Sequence, residues 1–272
     1  MAWENLVVFA QDLVQRPSLS CQEGEVARRV HEEMKTLGYD QISQDPFGSV
    51  IGVIEGEESG PTLLFDAHTD TVDVTGSIPW TKDPFSGHIA DDCLHGRGSA
   101  DMKGALAAMV HAAGAIDRAG LKGRIVVVAS PMEEVLEGAA LREVMKLFPP
   151  DFVVIGEATE LNLARGGRGR AEIHLETRGI PTHSSVPHLG RNAVLDMMAV
   201  IQGVEDIELG TDPLMGPAIL ALTEISSVPF PSNSVIPSIC RAIYDRRLLP
   251  GETKEDVLGP ILEVARSRAQ KD

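Results

Sequence analysis

Short apolar runs and helical stretches alternate along the first half of the chain. Apolar runs at 62–65, 124–129 and 151–155 end abruptly in polar residues, which is typical of strands buried on both faces of a sheet. Between them, apolar residues recur at helical spacing over 102–119 and 137–147. Strands that alternate with helices in this way predict a mostly parallel sheet with helices on both of its faces.

The N-terminal residues extend this pattern with two helices and one further strand. Residues 3–14 predict the first helix, and 49–54 predict the strand. Before the second helix, Ser20 and Glu23 have the spacing of a capping box, in which each side chain bonds to the backbone N–H of the other residue. The glycine-, proline- and aspartate-rich residues 75–92 predict a long loop.

The pattern changes after the glycine-rich segment 165–170. Polar and apolar residues then alternate, as they do in strands with one exposed face. The predicted elements are a strand at 171–177, a helix at 192–204, strands at 218–227 and 238–246, and a helix at 254–269. This order is that of a ferredoxin-like α+β unit that lacks its last strand.

The length of 272 residues is sufficient for two domains. We place an α/β domain at 1–166 and the α+β domain at 167–272, because the glycine-rich segment separates two kinds of strand pattern. A composition that is 43% hydrophobic and 24% charged is that of a soluble globular protein. The three cysteines, Cys21, Cys93 and Cys240, are isolated from one another, which favours a reducing cytoplasm over a disulfide framework.

The net charge of −16 excludes some classes of partner. Nucleic acid and anionic membrane surfaces would repel such a chain, so we expect neither as a partner. The apolar runs are also far shorter than the roughly 20 residues that cross a bilayer. The charge itself is compatible with plain solubility or with carboxylates gathered around a cation, and the positions of the acids decide between the two.

Acids and a histidine follow the predicted strands. Ligands bind beyond the carboxyl ends of the strands in an open α/β sheet, so side chains at these positions share one edge. Each acid taken alone is more often a helix cap or a solvated loop residue. Their recurrence at one kind of position favours a cation that neutralises them. The residues concerned are His68, Asp70, Asp101, Glu133, Glu134 and Glu157.

Nitrogen and carboxylate ligands without thiolate suit Zn²⁺, Co²⁺ or Mn²⁺. His68 is the natural metal ligand of this set, and Asp70 is close enough along the chain to orient its ring. Two metals about 3.5–4 Å apart could share one carboxylate. In the pair Glu133 and Glu134, one glutamate would then bind metal while the other acts as a general base.

Six motifs are similar to those of a family of dinuclear-metal amidohydrolases and peptidases. In chain order they are AHTDTVD, GRGSADMKG, MEE, GEAT, GIPTHSSVPHLGRNAV and DRRLLPGE. The family includes acetylornithine deacetylase, succinyl-diaminopimelate desuccinylase, aminoacylase and glutamate carboxypeptidase. Within it, the RGGRGRAEI and DRRLLPGE variants most resemble uncharacterised hydrolases associated with selenium metabolism.

This resemblance implies a metal-dependent hydrolase of C–N amide bonds that acts on N-acyl amino acids or short peptides. It implies two Zn²⁺ per site, or Co²⁺ or Mn²⁺ in their place, in an aminopeptidase-like catalytic domain. Asp70 would support the histidine ligand, Glu133 would be the general base for a metal-activated water, and the Asp101–Met102 peptide would be cis. The implied ligands are His68 and Glu157 for one metal, Glu134 for the other, and Asp101 as the bridge.

The second domain resembles the lid of this family, which also forms a dimer. His183 corresponds to a histidine that reaches the site of a neighbouring subunit and polarises the substrate carbonyl. Asn233 and Arg247 correspond to positions that hold a carboxylate of the substrate, a task that suits a planar guanidinium. Without the resemblance, His183 would be an ordinary loop histidine and Arg247 a charge on a sheet surface. We therefore expect a homodimer and a substrate with a free carboxylate.

One part of the family pattern is not found in the sequence. The catalytic domain of the family resumes after the lid and supplies a last histidine to the second metal, whereas this sequence ends at Asp272, within the lid. We interpret it as a fragment of a longer hydrolase, with a naturally shortened relative as the alternative, and expect the second metal to be weak or absent. The rival function is a catalytically impaired or metal-poor module for dimerisation or ligand binding. A third, dinucleotide binding at GRGSAD, matches its motif only in part.

Overall fold

The computed structural model describes residues 2–74 and 79–268. Part of the predicted loop, 75–78, and the last residue of the predicted final helix, 269, lie outside the described residues. None of the described helices is both long enough and apolar enough to cross a bilayer.

Two compact units make up the chain, 1–162 and 163–272, and their division falls four residues before the predicted boundary at 166. The first unit is built around a five-stranded sheet. Its helices are α1 (Ala2–Val14), α2 (Gly24–Thr36), α3 (Gly104–Gly114) and α4 (Ala139–Leu147). Its strands are β1 (Gln41–Gln44), β2 (Val50–Glu55), β3 (Glu58–His68), β4 (His88–Ala90), β5 (Cys93–His95), β6 (Lys122–Ser130) and β7 (Phe152–Ile155).

The sheet has the strand order β1-β2-β6-β3-β7. Strands β6, β3 and β7 pair in parallel, whereas β2 is antiparallel to both of its neighbours. Four of the five strands therefore run in one direction, and the mostly parallel sheet is confirmed. Strand β4 lies at the end of the predicted loop 75–92 and forms a separate hairpin with β5, which follows the loop.

Helices cover both faces of this sheet, as the sequence pattern predicts. Helices α1, α2 and α3 bury Leu13, Val30 and Leu106 against strand residues of one face. Helix α4 buries Leu141 and Val144 on the other face. Each large apolar side chain buried in this way contributes about 1.5–3 kcal/mol to the free energy of unfolding. The two helical layers hold the strand ends in fixed positions.

Two predictions for this unit are wrong in detail. The helix predicted at 102–119 begins at Gly104, because Asp101 and Met102 have non-helical backbone angles within a π-helical turn over Ser99–Lys103. It ends at Gly114 and is followed by a 3₁₀ turn over Arg118–Gly120. Strand β7 is not buried on both faces: it is an edge strand, and Phe152 is 64% exposed.

The second unit follows the predicted strand–helix–strand–strand–helix order. A short hairpin precedes its second long strand, and its antiparallel sheet has the order β11-β12-β8. Helices α5 and α6 pack on one face around Tyr244, Val200 and Ile261. Its elements are β8 (Gly169–Arg178), α5 (Ala193–Glu205), β9 (Thr211–Asp212), β10 (Gly216–Pro217), β11 (Ile219–Val228), β12 (Ile239–Leu248) and α6 (Lys254–Arg268).

Candidate metal centre

The candidate site lies at the carboxyl ends of the three parallel strands of the first unit. Strand β3 ends at His68, and its neighbour β6 ends at Ser130, just before the two glutamates of the MEE motif. On the other side of β3, strand β7 is followed by Gly156 and Glu157. The Gly156 N–H donates to the Asp66 carbonyl on β3 at 3.0 Å and so continues the pairing up to the glutamate.

His68 is at the centre of the site and is only 2% exposed. Its Nδ1 lies 2.9 Å from the backbone carbonyl of Asp70. A carbonyl only accepts, so Nδ1 carries the proton of the neutral ring and Nε2 keeps its lone pair. Nε2 points at Oδ1 of Asp101, 2.9 Å away, and lies 3.8 Å from Oε1 of Glu157. Loss of the Nε2 proton from the charged ring therefore leaves the tautomer that binds metal.

Two sets of three potential ligands share His68. Within each set, one nitrogen or oxygen atom per residue lies within 4.8 Å of the others. The first set is His68, Asp101 and Glu134; the second is His68, Glu133 and Glu157. The structure thus brings together all five residues, and both glutamates of the MEE motif reach ligand distance of the histidine. Their division into a ligand and a free base stays a prediction.

The charges of the site favour a cation. Burial, together with the charges of nearby acids, raises the pKa of Glu133 to about 7. Burial also raises the pKa values of Glu134 and Glu157. Burial would lower the pKa of His68, but bonds to Asp70 and Asp101 and further acidic charges raise it to about 10. The acids retain protons because their charges repel, and a divalent cation would remove that repulsion.

Asp70 lies behind these groups and is fully buried. Its Oδ1 accepts from the backbone N–H of Glu133 at 3.0 Å, and its Oδ2 accepts from the N–H of Glu134 at 3.2 Å and from the Ser20 hydroxyl at 2.7 Å. Burial would raise the pKa of Asp70, but the nearby His68 ring and these donors lower it. The Asp70 carboxylate is 3.6 Å from Nδ1 of His68, which is too far for a hydrogen bond. Asp70 therefore orients the ring through its backbone carbonyl.

The predicted capping box is wrong. Glu23 is the N-cap of α2, but its side chain makes no capping bond. The Ser20 hydroxyl donates to Asp70, and Oε1 of Glu23 accepts from the backbone N–H groups of Cys21 and Met132. Both side chains therefore support the site and not the helix start.

Asp101 lies in the middle of the π-helical turn before α3, and the Asp101–Met102 peptide is cis, as the family resemblance implies. The buried Lys103 follows, and its Nζ donates to the carbonyls of Leu13 at 3.1 Å and Arg16 at 2.8 Å. Burial lowers the pKa of Lys103 to about 8. The lysine ties the segment of the aspartate to the end of α1.

Sequence reasoning missed Lys103 and Asp66 as parts of this region. Asp66 is buried in β3, and burial raises the pKa of its carboxyl to about 6. The available signal was an acid within the apolar run LLFDAH and a lysine directly after the ADM segment. Charged side chains in such positions are rarely buried without a structural or chemical role.

The second unit brings together the segments that carry His183 and Asn233. The N–H of Ser184 donates to the Ser234 carbonyl at 2.8 Å, and His183 forms an isolated bridge with Val235. Asn233 has a φ of +39°, in the left-handed region. Two predicted substrate-contacting side chains thus stand on adjoining loops.

Arg247 lies on β12, and its Nε donates to Oδ1 of Asp245 at 2.7 Å. The guanidinium is 43% exposed. It is paired but accessible, which is the state expected of a side chain that can also bind an external carboxylate.

A mostly parallel sheet with helices on both faces, and one histidine and four carboxylates at its carboxyl edge, defines a metalloprotein of the aminopeptidase-like α/β class. Comparison with known families agrees: residues 64–233 match peptidase family M20/M25/M40. The chain belongs to this family.

Known relatives extend the match over most of the chain. The uncharacterized protein YgeY of Escherichia coli (strain K12) is 35% identical over 260 residues, which cover 93% of this chain and 64% of YgeY. Succinyl-diaminopimelate desuccinylase 2 of Ruegeria sp. (strain TM1040) is 26% identical over 280 residues, which cover 97% of this chain and 70% of the relative. The chain thus spans about two thirds of the length of these proteins.

Solved structures share the fold. The M20 family metallo-carboxypeptidase Sso-CP2 from Sulfolobus solfataricus superposes with a TM-score of 0.75 at 18% identity. The superposition covers 98% of this chain and 76% of the carboxypeptidase. At this level of identity, the likeness establishes the fold and carries no information on the substrate.

Proposed function

We propose that this protein is a metal-dependent hydrolase of C–N amide bonds, of the deacylase or peptidase type, that acts on N-acyl amino acids or short peptides. The observation that carries the proposal is His68, with its Nε2 directed at Asp101 and shared by two sets of three potential ligands. Membership of the M20/M25/M40 family supports the same chemistry.

The donor set fits divalent metal. Neutral imidazole and carboxylate oxygens suit Zn²⁺, with Co²⁺ or Mn²⁺ as alternatives. His68 and Glu157 would hold one ion, Glu134 the other, and Asp101 would contact both. When bound, such ions polarise a carbonyl oxygen and lower the pKa of water.

Glu133 is the general base in this proposal. Its carboxylate takes a proton from the attacking water as the new C–O bond forms at the amide carbon, and returns that proton to the leaving amine as the C–N bond breaks. Asp70 keeps the base in place through the Glu133 N–H.

The second unit would supply substrate recognition. His183, in the site of a neighbouring subunit, donates from Nε2 to the carbonyl oxygen as negative charge develops there. Asn233 and Arg247 bind a free carboxylate of the substrate, which accounts for a preference for amino-acid derivatives. The protein would accordingly act as a homodimer formed through this unit.

The decisive experiment is Glu133→Gln in protein loaded with Zn²⁺, Co²⁺ or Mn²⁺. We expect wild type to release free amine from N-acetyl- or N-succinyl-amino acids or dipeptides, and the variant to lower kcat by roughly 10²–10⁴-fold. Bound metal, measured by elemental analysis, should be equal in the two proteins. The half-buried Glu143, on α4 and paired with Lys146, provides the matched control Glu143→Gln.

Either of two results would contradict the proposal. Equal rates of amide hydrolysis for wild type and Glu133→Gln would refute the role of Glu133 as the general base. Wild type with near-zero metal after loading would favour the rival function, a metal-poor module for dimerisation or ligand binding.

A further inference from the structure

The three successive backbone N–H groups of the MEE motif point at two buried carboxylates. The N–H groups of Glu133 and Glu134 donate to Asp70. The preceding N–H, that of Met132, donates to Oε1 of Glu23 at 3.0 Å. The segment that carries both glutamates of the site is therefore held from behind by one carboxylate from β3's carboxyl end and one from the start of α2.

The Glu23 carboxylate is well fixed for this task. The residue is 7% exposed, and its carbonyl accepts from the N–H of Ala27 in the first turn of α2. The same oxygen that receives the Met132 N–H also receives the N–H of Cys21 at 2.9 Å. The positive potential at the N-terminus of a helix stabilises an anion there.

Met132 requires such an anchor. Its φ of +61° lies in the left-handed region, which costs a residue with a Cβ roughly 1 kcal/mol or more. On the other side, its carbonyl accepts from the Leu136 N–H at 2.9 Å and closes a turn. A backbone conformation of this kind persists where its surroundings fix it, and Glu23 supplies the bond to the N–H.

We propose that Glu23 is a positioning residue for the glutamate pair: its carboxylate fixes the Met132 backbone and thereby the directions in which Glu133 and Glu134 leave the chain. The inference rests on the proposed function for its effect on catalysis. Its effect on the backbone is independent of that function. The pair needs this support because adjacent residues of like charge must point to different places, one to metal and one to water.

Two substitutions at Glu23 distinguish the effect of side-chain length from the effect of the negative charge. Glu23→Asp keeps a carboxylate at the helix start, where aspartate is a good N-cap, but withdraws the acceptor by one methylene. Glu23→Gln removes the charge and keeps an acceptor oxygen at the same distance. The control is Glu25→Ala in the first turn of α2, an exposed residue that pairs with Arg28.

Amide hydrogen exchange tests the backbone effect without activity. We expect the amides of 132–135 to exchange at least about tenfold faster in Glu23→Asp than in wild type, and at the wild-type rate in Glu23→Gln and Glu25→Ala. In metal-loaded protein, Glu23→Asp should lower kcat by about 10–100-fold with little change in KM, as other supports of metal-site groups do. Glu23→Gln should restore most of kcat.

The outcomes distinguish the two levels of the proposal. If the amides of 132–135 exchange at the wild-type rate in Glu23→Asp, the positioning role is overturned, whatever the hydrolytic activity of that variant. Faster exchange in a wild-type protein that hydrolyses no amide substrate leaves positioning intact and refutes the proposed function. Faster exchange with unchanged kcat shows that the anchor does not serve the glutamate pair, and also overturns the inference.

Discussion

Asp70 accepts a hydrogen bond from the backbone N–H of Glu133 at 3.0 Å, so the residue that orients His68 also holds the proposed base. The link is short because the ends of β3 and β6 are neighbours in the sheet. Through its carbonyl Asp70 fixes the ring, and through its carboxylate it fixes the MEE segment. The two functional sides of the site therefore share one support.

Replacement of Asp70 should affect both sides at once. Asn keeps one acceptor oxygen, but its NH₂ group would face an N–H or hydroxyl donor. We expect Asp70→Asn to weaken metal affinity or kcat by about 10–100-fold, and Ser20→Ala to have a smaller effect. Calorimetric metal titration and amide hydrolysis measure the two quantities.

A matched control for this change lies in the second unit. Asp212 also accepts two backbone N–H groups, from Leu214 and Met215, and lies outside the proposed site. Asp212→Asn should leave metal affinity unchanged. Wild-type metal affinity and rate in Asp70→Asn would refute the shared support.

Metal should stabilise the protein more strongly as pH rises. In the metal-free fold, Glu133 holds its proton up to a pKa of about 7 and His68 up to about 10, both above their ordinary values. Metal binding must displace these protons, so a higher pH favours it. We expect the rise in Tm caused by added Co²⁺ or Mn²⁺ to be larger at pH 8 than at pH 5.5.

Differential scanning fluorimetry with metal or with EDTA measures this rise. His68→Ala should lose most of it at both pH values, since it removes the ligand common to both sets. A rise in Tm that is independent of pH would indicate that metal binds elsewhere.

Lys103 should contribute to stability through its two carbonyl partners. In Lys103→Met the carbonyls of Leu13 and Arg16 lose their buried donor, which costs about 1–3 kcal/mol of the free energy of unfolding. Urea denaturation measures the loss. The exposed Lys35, on α2, provides the control Lys35→Met, for which a change within about 0.5 kcal/mol is expected. Equal midpoints for the two variants would contradict this role.

His183 should carry its proton on Nε2. The backbone N–H of Ser185 donates to Nδ1 of His183 at 3.2 Å, and the Ser185 hydroxyl, 2.8 Å from the same nitrogen, can donate to it as well. The Nε2–H is then the donor that a polarised carbonyl oxygen requires. Long-range ¹H–¹⁵N correlation spectra at pH 8 report the tautomer, and His183→Gln assigns the signal. A signal typical of Nδ1–H would exclude the donor role in this conformation.

Much of the site could be predicted because local patterns carried it. His68, the MEE glutamates and Glu157 each follow an apolar strand, and parallel strands bring such positions to one edge of a sheet whatever the details of packing. The histidine, the acids and the alternation of strands with helices follow from periodicity and residue type. The family motifs add the roles that periodicity does not contain.

Other features could not be predicted because they depend on distant partners. Ser20 and Glu23 have the spacing of a capping box, yet their side chains bond to Asp70 and to the Met132 backbone, 50 and 109 residues away along the chain. A local pattern shows only which hydrogen bonds the two side chains could make. Whether they bond to the start of the helix or to these distant partners is decided only when the strands and helices have packed.

The sequence by itself determined the alternation of strands and helices, the acidic edge and the family, because these depend on residue order alone. Tertiary structure decided the rest. It placed β7 at the edge of the sheet, delayed the start of α3 to Gly104, and put two carboxylates behind the glutamate pair. Burial turned ordinary acids into groups with raised pKa values, and burial is a property of the folded chain that no single stretch of sequence possesses.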